Sequence, residues 1–225
     1  FWHSFTLGAS TQLTSFATGT RSDPRLSGSW VSYHDDQSGV RHLYLRNLGT
    51  GMTAQVTTGG APVIWSHLAG DRLAWKQSGT MGARVRTLST GAEETVFGNL
   101  ALECFSLGGD WLVAFSNEGS LVFFPYGRIL ARNLVTGQEV VVAQGEASPQ
   151  DGVFGCPAVD GDTVAYTRAL GSSLFPFVHD LGTGVATRLT YAFDTVAADM
   201  RVSGDRVVWR DSREGVPYQI WMHQR

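Results

Sequence analysis

The sequence predicts an all-β chain built as a ring of repeated antiparallel sheets. Three observations predict it: a hairpin pattern that recurs five times, a second turn that follows four of the copies, and a composition poor in charge and rich in glycine. Charged residues make up 16% of the chain and Gly 27 of its 225 positions, so tight turns between strands fit better than a helical bundle. Helical periodicity is nowhere sustained over about a dozen residues.

The hairpin is clearest at Met200–Trp209 (MRVSGDRVVW), an apolar run, a Gly-Asp turn and a second apolar run ending on an aromatic. Pro24–Tyr33, Ser66–Trp75 and Pro157–Tyr166 repeat it, and Phe105–Ala114 does so with its aromatic one place late, at Phe115. The copies are spaced about 45 residues apart, the period of four-stranded propeller blades. The second turn follows about 20 residues later, as Leu48–Gly51, Leu88–Gly91, Leu134–Gly137 and Leu181–Gly184, each with Thr-Gly at its end. Gly there supplies a positive φ. Each unit therefore reads strand A, Gly-Asp turn, strand B, variable loop, strand C, Thr-Gly turn, strand D.

A single such sheet cannot bury both faces, whereas radial packing gives each sheet two neighbours. The expectation is one domain, a five-bladed β-propeller with blades at about 23–61, 62–102, 103–152, 153–198, and 199–225 joined by 1–22. The last blade takes strands A to C from the C-terminus and strand D from Thr11–Thr14, which matches Thr187–Thr190, and this split closes the ring. Phe1–Leu7 also resembles a strand C, which leaves either an outer strand or tail, or an excerpt of a longer array. The start, FWHSFTLGAS, has neither an initiator Met nor the basic and apolar regions of a signal peptide, so the sequence reads as a mature form or an excerpt.

The combined pattern, P-x-(Leu/Val)-x-Gly-Asp-x-Val-x-Trp, then L-x-T-G and x-L-T, resembles the TolB-type, WD-like propeller repeats of bacterial and archaeal surface and periplasmic proteins. The nearest matches are Met200–Trp209 with Asp211–Gly215, and Asp180–Gly184 with Arg188–Thr190. Ser66, Phe105 and Met200 depart from it where Pro is usual, and the third repeat is stretched. The resemblance implies an extracytoplasmic protein, secreted, periplasmic or on the cell surface, that binds a partner or a ligand. It says little about chemistry, because the motif consists of turn and core residues.

Function is expected where strand A begins, at the mouth of the central channel, by analogy with other propellers. Aligned repeats put Asp23, Trp65, Cys104, Cys156 and Asp199 at one position, and Arg25, His67, Ser106, Ala158 and Arg201 two places on. Period-2 alternation sends both sets to one side of their strands. Asp23, Arg25, Trp65, His67, Asp199 and Arg201 are therefore the candidate ligand-binding residues. A structural network, in which each Asp caps a turn or pairs with Arg, competes with an axial pocket. Phe124, Tyr126, Phe175 and Phe177 form a candidate aromatic patch on B–C loops of adjacent blades, suited to sugar stacking or a protein anchor. The competing reading is longer loops folded over their own core.

No catalytic residue, metal site or cofactor is expected. Asp23 and Asp199 are the only carboxylates in register, with Asp35 as a third candidate, and blades two to four supply none of matching register, which argues against a glycosidase. No phosphate loop or Ser-His-Asp order occurs. Cys104 and Cys156 form no CxxC site. Two buried free thiols are expected ahead of a disulfide, which stays open as the alternative, since a bridge needs Cα atoms within about 7 Å and neighbouring inner strands often lie a little further apart. A net charge of −3 gives no support to nucleic acid, and no apolar run is long enough to span a bilayer. The reading is a non-catalytic propeller that recognises a protein or glycan. The alternatives are a carbohydrate-active hydrolase or lyase, and a structural module of a larger surface protein.

Overall fold

The computed structural model describes residues 2–4, 8–14, 19–117, 127–145, 151–192, 196–212 and 218–224. Among them it contains 21 strands and no helix. A short hairpin comes first, β1 (Trp2–Ser4) with β2 (Ala9–Thr11). Three antiparallel four-stranded sheets follow in chain order. The first is β3 (Arg21–Ser27), β4 (Trp30–Asp35), β5 (His42–Asn47) and β6 (Thr53–Gln55). The second is β7 (Val63–Ala69), β8 (Arg72–Gln77), β9 (Ala83–Thr87) and β10 (Glu93–Val96). The third is β11 (Leu102–Gly108), β12 (Trp111–Asn117), β13 (Gly127–Asn133) and β14 (Glu139–Gln144). A fourth set, β15 (Asp151–Asp160), β16 (Thr163–Leu170), β17 (Ser173–Asp180) and β18 (Val185–Arg188), has the same order. One parallel bridge, Leu174 to Val196, links it to a fifth set, β19 (Val196–Ser203), β20 (Arg206–Ser212) and β21 (Gln219–Gln224).

The two repeated turns explain each other. Gly28, Gly70, Gly109, Gly161 and Gly204 open the five A–B turns with φ of 53 to 58°, and the residue after each stays at negative φ, as a type II′ hairpin requires. In the four complete sheets the second residue of that turn offers its carbonyl to the Leu of the Thr-Gly turn. Leu48 N donates to Ser29 O, Leu88 N to Asp71 O, Leu134 N to Asp110 O and Leu181 N to Asp162 O, at 2.7 to 2.8 Å. The motif that dominates the sequence thus ties strand A–B to strand C–D within a sheet.

In the second, third and fourth sets strand B (β8, β12 and β16) is largely apolar and buried on both faces. Leu73 and Trp75 pack with Leu43 and Leu45 of the first sheet, whereas Ala74 between them packs with Phe105 and Leu112 of the third. Val113 and Phe115 meet Val164 and Tyr166, and Ala165 meets Val207 and Trp209. Four apolar seams therefore join the five strand sets in chain order. Hydrogen bonds at the hairpin tips reinforce them: Gly70 N to Ser27 Oγ at 2.8 Å, Arg72 to Asp110 at 3.0 Å, Trp111 Nε1 to Asp162 at 2.9 Å and Gly204 N to Asp160 at 2.8 Å.

The strand expected at Thr11–Thr14 requires correction. Thr11 ends β2, Gln12–Thr14 lie outside any strand, and the described partner of β21 is β20. A local hairpin between β1 and β2 closes a short loop, which costs far less entropy than pairing with a strand two hundred residues away. The segment instead reaches the first sheet, where Arg46 Nη1 donates to Leu13 O at 2.7 Å. The outer face of β21 is open, with Ile220 and Met222 exposed at 76% and 60%.

Candidate functional site

Each inner strand departs from regular pairing near its start. In β3 and β19 two residues, Asp23-Pro24 and Asp199-Met200, face one on strand B, which is a β-bulge. Asp23 and Asp199 take φ of 51° and 53°, a left-handed conformation that Asp tolerates better than most residues. β7 and β11 carry a one-residue irregularity, and in β15 Gly155-Cys-Pro157 face a single residue.

The bulge breaks the simple alternation expected from sequence. The second set of aligned residues, Arg25, His67, Ser106, Ala158 and Arg201, does line one cavity of about 960 Å³ between the inner strands. Of the first set, Trp65, Cys156 and Asp199 border it, while Asp23 and Cys104 are not among its lining residues. Neither Asp pairs with the Arg of the second set. Asp23 Oδ2 sits 3.2 Å from His34 Nδ1, and Asp199 Oδ2 sits 3.1 Å from Arg210 Nε. His34 and Arg210 are the equivalent first residues after the hairpin, so each bulged Asp reaches across its own sheet.

Trp65 and His67 hold the second sheet to the third. Trp65 Nε1 donates to Phe105 O at 2.8 Å, and Leu107 N donates to His67 Nδ1 at 3.3 Å. The second contact fixes the His67 tautomer, with its proton on Nε2. Burial, and then the positive charges of Arg25 and Arg201, push the imidazole down to about 4. Between about pH 6.5 and 4 the unfolded chain therefore binds a proton that the folded chain refuses. Stability is complete above that window, falls as pH drops through it and levels off below it. The expected loss is up to about 3 kcal/mol. Burial lowers His34 and His179 too, which adds to the same trend. Urea midpoints at pH 7 and 4.5 check this, and His67→Gln should flatten the slope. An unchanged slope in that variant would count against His67 as its source.

Cys104 and Cys156 are not free thiols, contrary to the sequence expectation. They form a disulfide with a Cα separation of 5.5 Å. Gly155, at φ 78°, and the enlarged bulge in β15 give Cys156 the freedom to meet Cys104 on the adjacent inner strand.

Of the aromatic candidates, Phe124 and Tyr126 lie outside the described residues. Phe175 and Phe177 belong to strand β17 rather than to a loop, because Gly171-Ser172 closes a two-residue turn after β16. Phe175 is 5% exposed, beneath the Arg188 guanidinium at 3.4 Å, and Phe177 stacks on Tyr166 with ring centroids 5.7 Å apart. Both rings therefore work in packing. Among the described residues no group of three or more His, Cys, Asp or Glu is arranged to hold a metal ion, and no helix is long and apolar enough to cross a membrane.

Comparison with known proteins gives a likeness of fold. No known family matches the sequence, and no curated relative does. Among solved structures, a prolyl endopeptidase aligns over 92% of this chain and 34% of its own, with TM-score 0.67 and 16% identity. An oligogalacturonate lyase in complex with manganese aligns over 87% of this chain and 59% of its own, with TM-score 0.65 and 18% identity. TolB from Acinetobacter baumannii, a β-propeller, aligns over 90% and 54%, with TM-score 0.54 and 15% identity. The chain thus spans about a third to six-tenths of the length of these proteins. At such identities the likeness establishes a propeller-like, all-β architecture and nothing about activity.

Proposed function

We propose that this chain is a five-bladed β-propeller that binds a protein or glycan ligand at its axial cavity without turning it over. The observation that carries the reading is the cavity of about 960 Å³, bordered by equivalent residues of all five inner strands. That volume is typical of a ligand site. In this reading the five strand sets are the blades, and the ring closes by bringing β19–β21 beside β3–β6.

A hydrolase or lyase would need Asp23 and Asp199 available at the axis. Their pairing with His34 and Arg210 supports a structural role for both carboxylates. The disulfide supports an extracytoplasmic location, because such bonds persist in oxidising compartments.

The test is a binding screen of the 225-residue chain against mono- and oligosaccharides and short peptides, read by chemical-shift perturbation. A ligand that perturbs His67 and Ser106, and that is lost in Ala158→Phe, is the expected result. Ligands that bind only away from the cavity, or bind Ala158→Phe equally well, refute it. Turnover of a bound glycan that disappears in Asp23→Asn with Asp199→Asn would favour the enzyme reading instead.

A further inference from the structure

Resting on the reading of the cavity as a binding site, we infer that its ligand carries an oxyanion, a carboxylate or phosphate group, held by Arg25, His67, Ser106 and Arg201. These four occupy one register position on β3, β7, β11 and β19, and all line the cavity. The fifth position is Ala158, whose small side chain leaves space.

Every member of this ring presents a donor, and two of the donors are unused. Arg25 Nε is shielded from solvent with no hydrogen-bond partner, and so is Ser106 Oγ, on a residue 7% exposed. A buried donor without a partner is costly, so such groups usually mark a missing ligand atom or water. His67 accepts from Leu107 N through Nδ1, which leaves Nε2–H as a donor. Arg201 spends Nη1 on Met200 O at 2.7 Å and retains the rest of its planar fork.

The charge balance favours an anion. Asp199 is the nearest acid in sequence to Arg201, and Arg210 neutralises it at 3.1 Å. Asp160 also borders the cavity, but two places beyond Ala158 toward the hairpin, where it accepts from Gly204 N at 2.8 Å. The charges acting on His67 are the two guanidinium groups. Two arginines facing one open cavity repel each other, an anion between them relieves that repulsion, and charge-assisted bonds to an oxyanion are the strong ones.

The experiment titrates the chain with galacturonate, galactose and inorganic phosphate by calorimetry, and follows the His67 imidazole signals in parallel. The two sugars differ by one carboxylate. Galacturonate or phosphate should bind at least about tenfold more tightly than galactose, and Arg25→Gln and Arg201→Gln should each cost about tenfold. Ser106→Ala should cost about threefold. The bound anion should also raise the pH at which His67 titrates, which a purely structural ring would not do. Equal binding of the two sugars, insensitive to both Arg variants, overturns the oxyanion while leaving the cavity as a site. Failure of both anions at millimolar concentration, with His67 unmoved, overturns the inference too, and the wider screen with Ala158→Phe then decides the cavity separately.

Discussion

Replacing Cys104 and Cys156 together by alanine lowers the melting temperature by about 8 to 15 °C. The bond joins residues 52 apart in sequence and links the inner strands of the third and fourth sheets. On the chain-entropy account, closing a loop of that size restricts the unfolded state by about 4 kcal/mol. For a domain of this length each kcal/mol moves the midpoint by about 2 to 4 °C. Cys104 is also in the apolar core with Val113 and Phe115, so its truncation adds a small packing loss of the same sign. Calorimetry of the double variant, and of the native chain with and without reductant, measures the effect. A shift of less than about 3 °C in both would mean that the bond restricts little in the unfolded chain.

That disulfide marks where sequence reasoning stops. The repeat register put the two cysteines at equivalent positions on neighbouring inner strands, which proved sound. Their distance depended on something else. In β15 three residues, Gly155 to Pro157, face one, and Gly155 turns the backbone through a positive φ. Bulges obey no periodicity, so the alternation argument does not carry from Arg25, which lines the cavity, two residues back to Asp23, which does not. What the sequence made legible is what depends on local chemistry. The Gly-Asp and Thr-Gly turns announce their positive φ directly, and apolar runs such as Trp111 to Phe115 announce strands covered on both faces. Pairing of the chain's first strands was not legible, because Thr11–Thr14 carries the same residues whether it joins β21 or follows a hairpin of its own. The B–C connection at Gly171-Ser172 was a missed signal, since Gly followed by Ser between apolar runs is itself a hairpin turn.

The same seam between the third and fourth sheets should be highly sensitive to added volume, with Gly108→Ala as the test. Gly108 needs no special φ, so its requirement is space. A Cβ built on it would lie 2.2 Å from Val159 O and 2.6 Å from Val159 C, well inside contact distance and against backbone rather than a side chain that could rotate away. The equivalent positions in the other sheets, Ser27, Ala69, Asp160 and Ser203, all carry side chains, so inner strands β11 and β15 approach most closely. A cystine holds them at one end and a bare glycine lets them touch at the other. Relief requires β11 to move away from β15, which strains the Cys104–Cys156 link and opens the packing of Val113 and Ile129 on Val164 and Tyr166. The expected cost is about 3 kcal/mol or more, the upper end for overpacking. Gly161→Ala is the comparison, because nothing lies within 4 Å of its Cβ and only its φ of 53° is strained, which costs about 1 kcal/mol. Urea unfolding of the two variants should rank Gly108→Ala well below Gly161→Ala. Removing the disulfide first should lessen the Gly108→Ala penalty, since the strands can then part, and neighbouring sites that share a strain are non-additive. Equal losses in the two glycine variants would show that the two inner strands do not meet at Gly108.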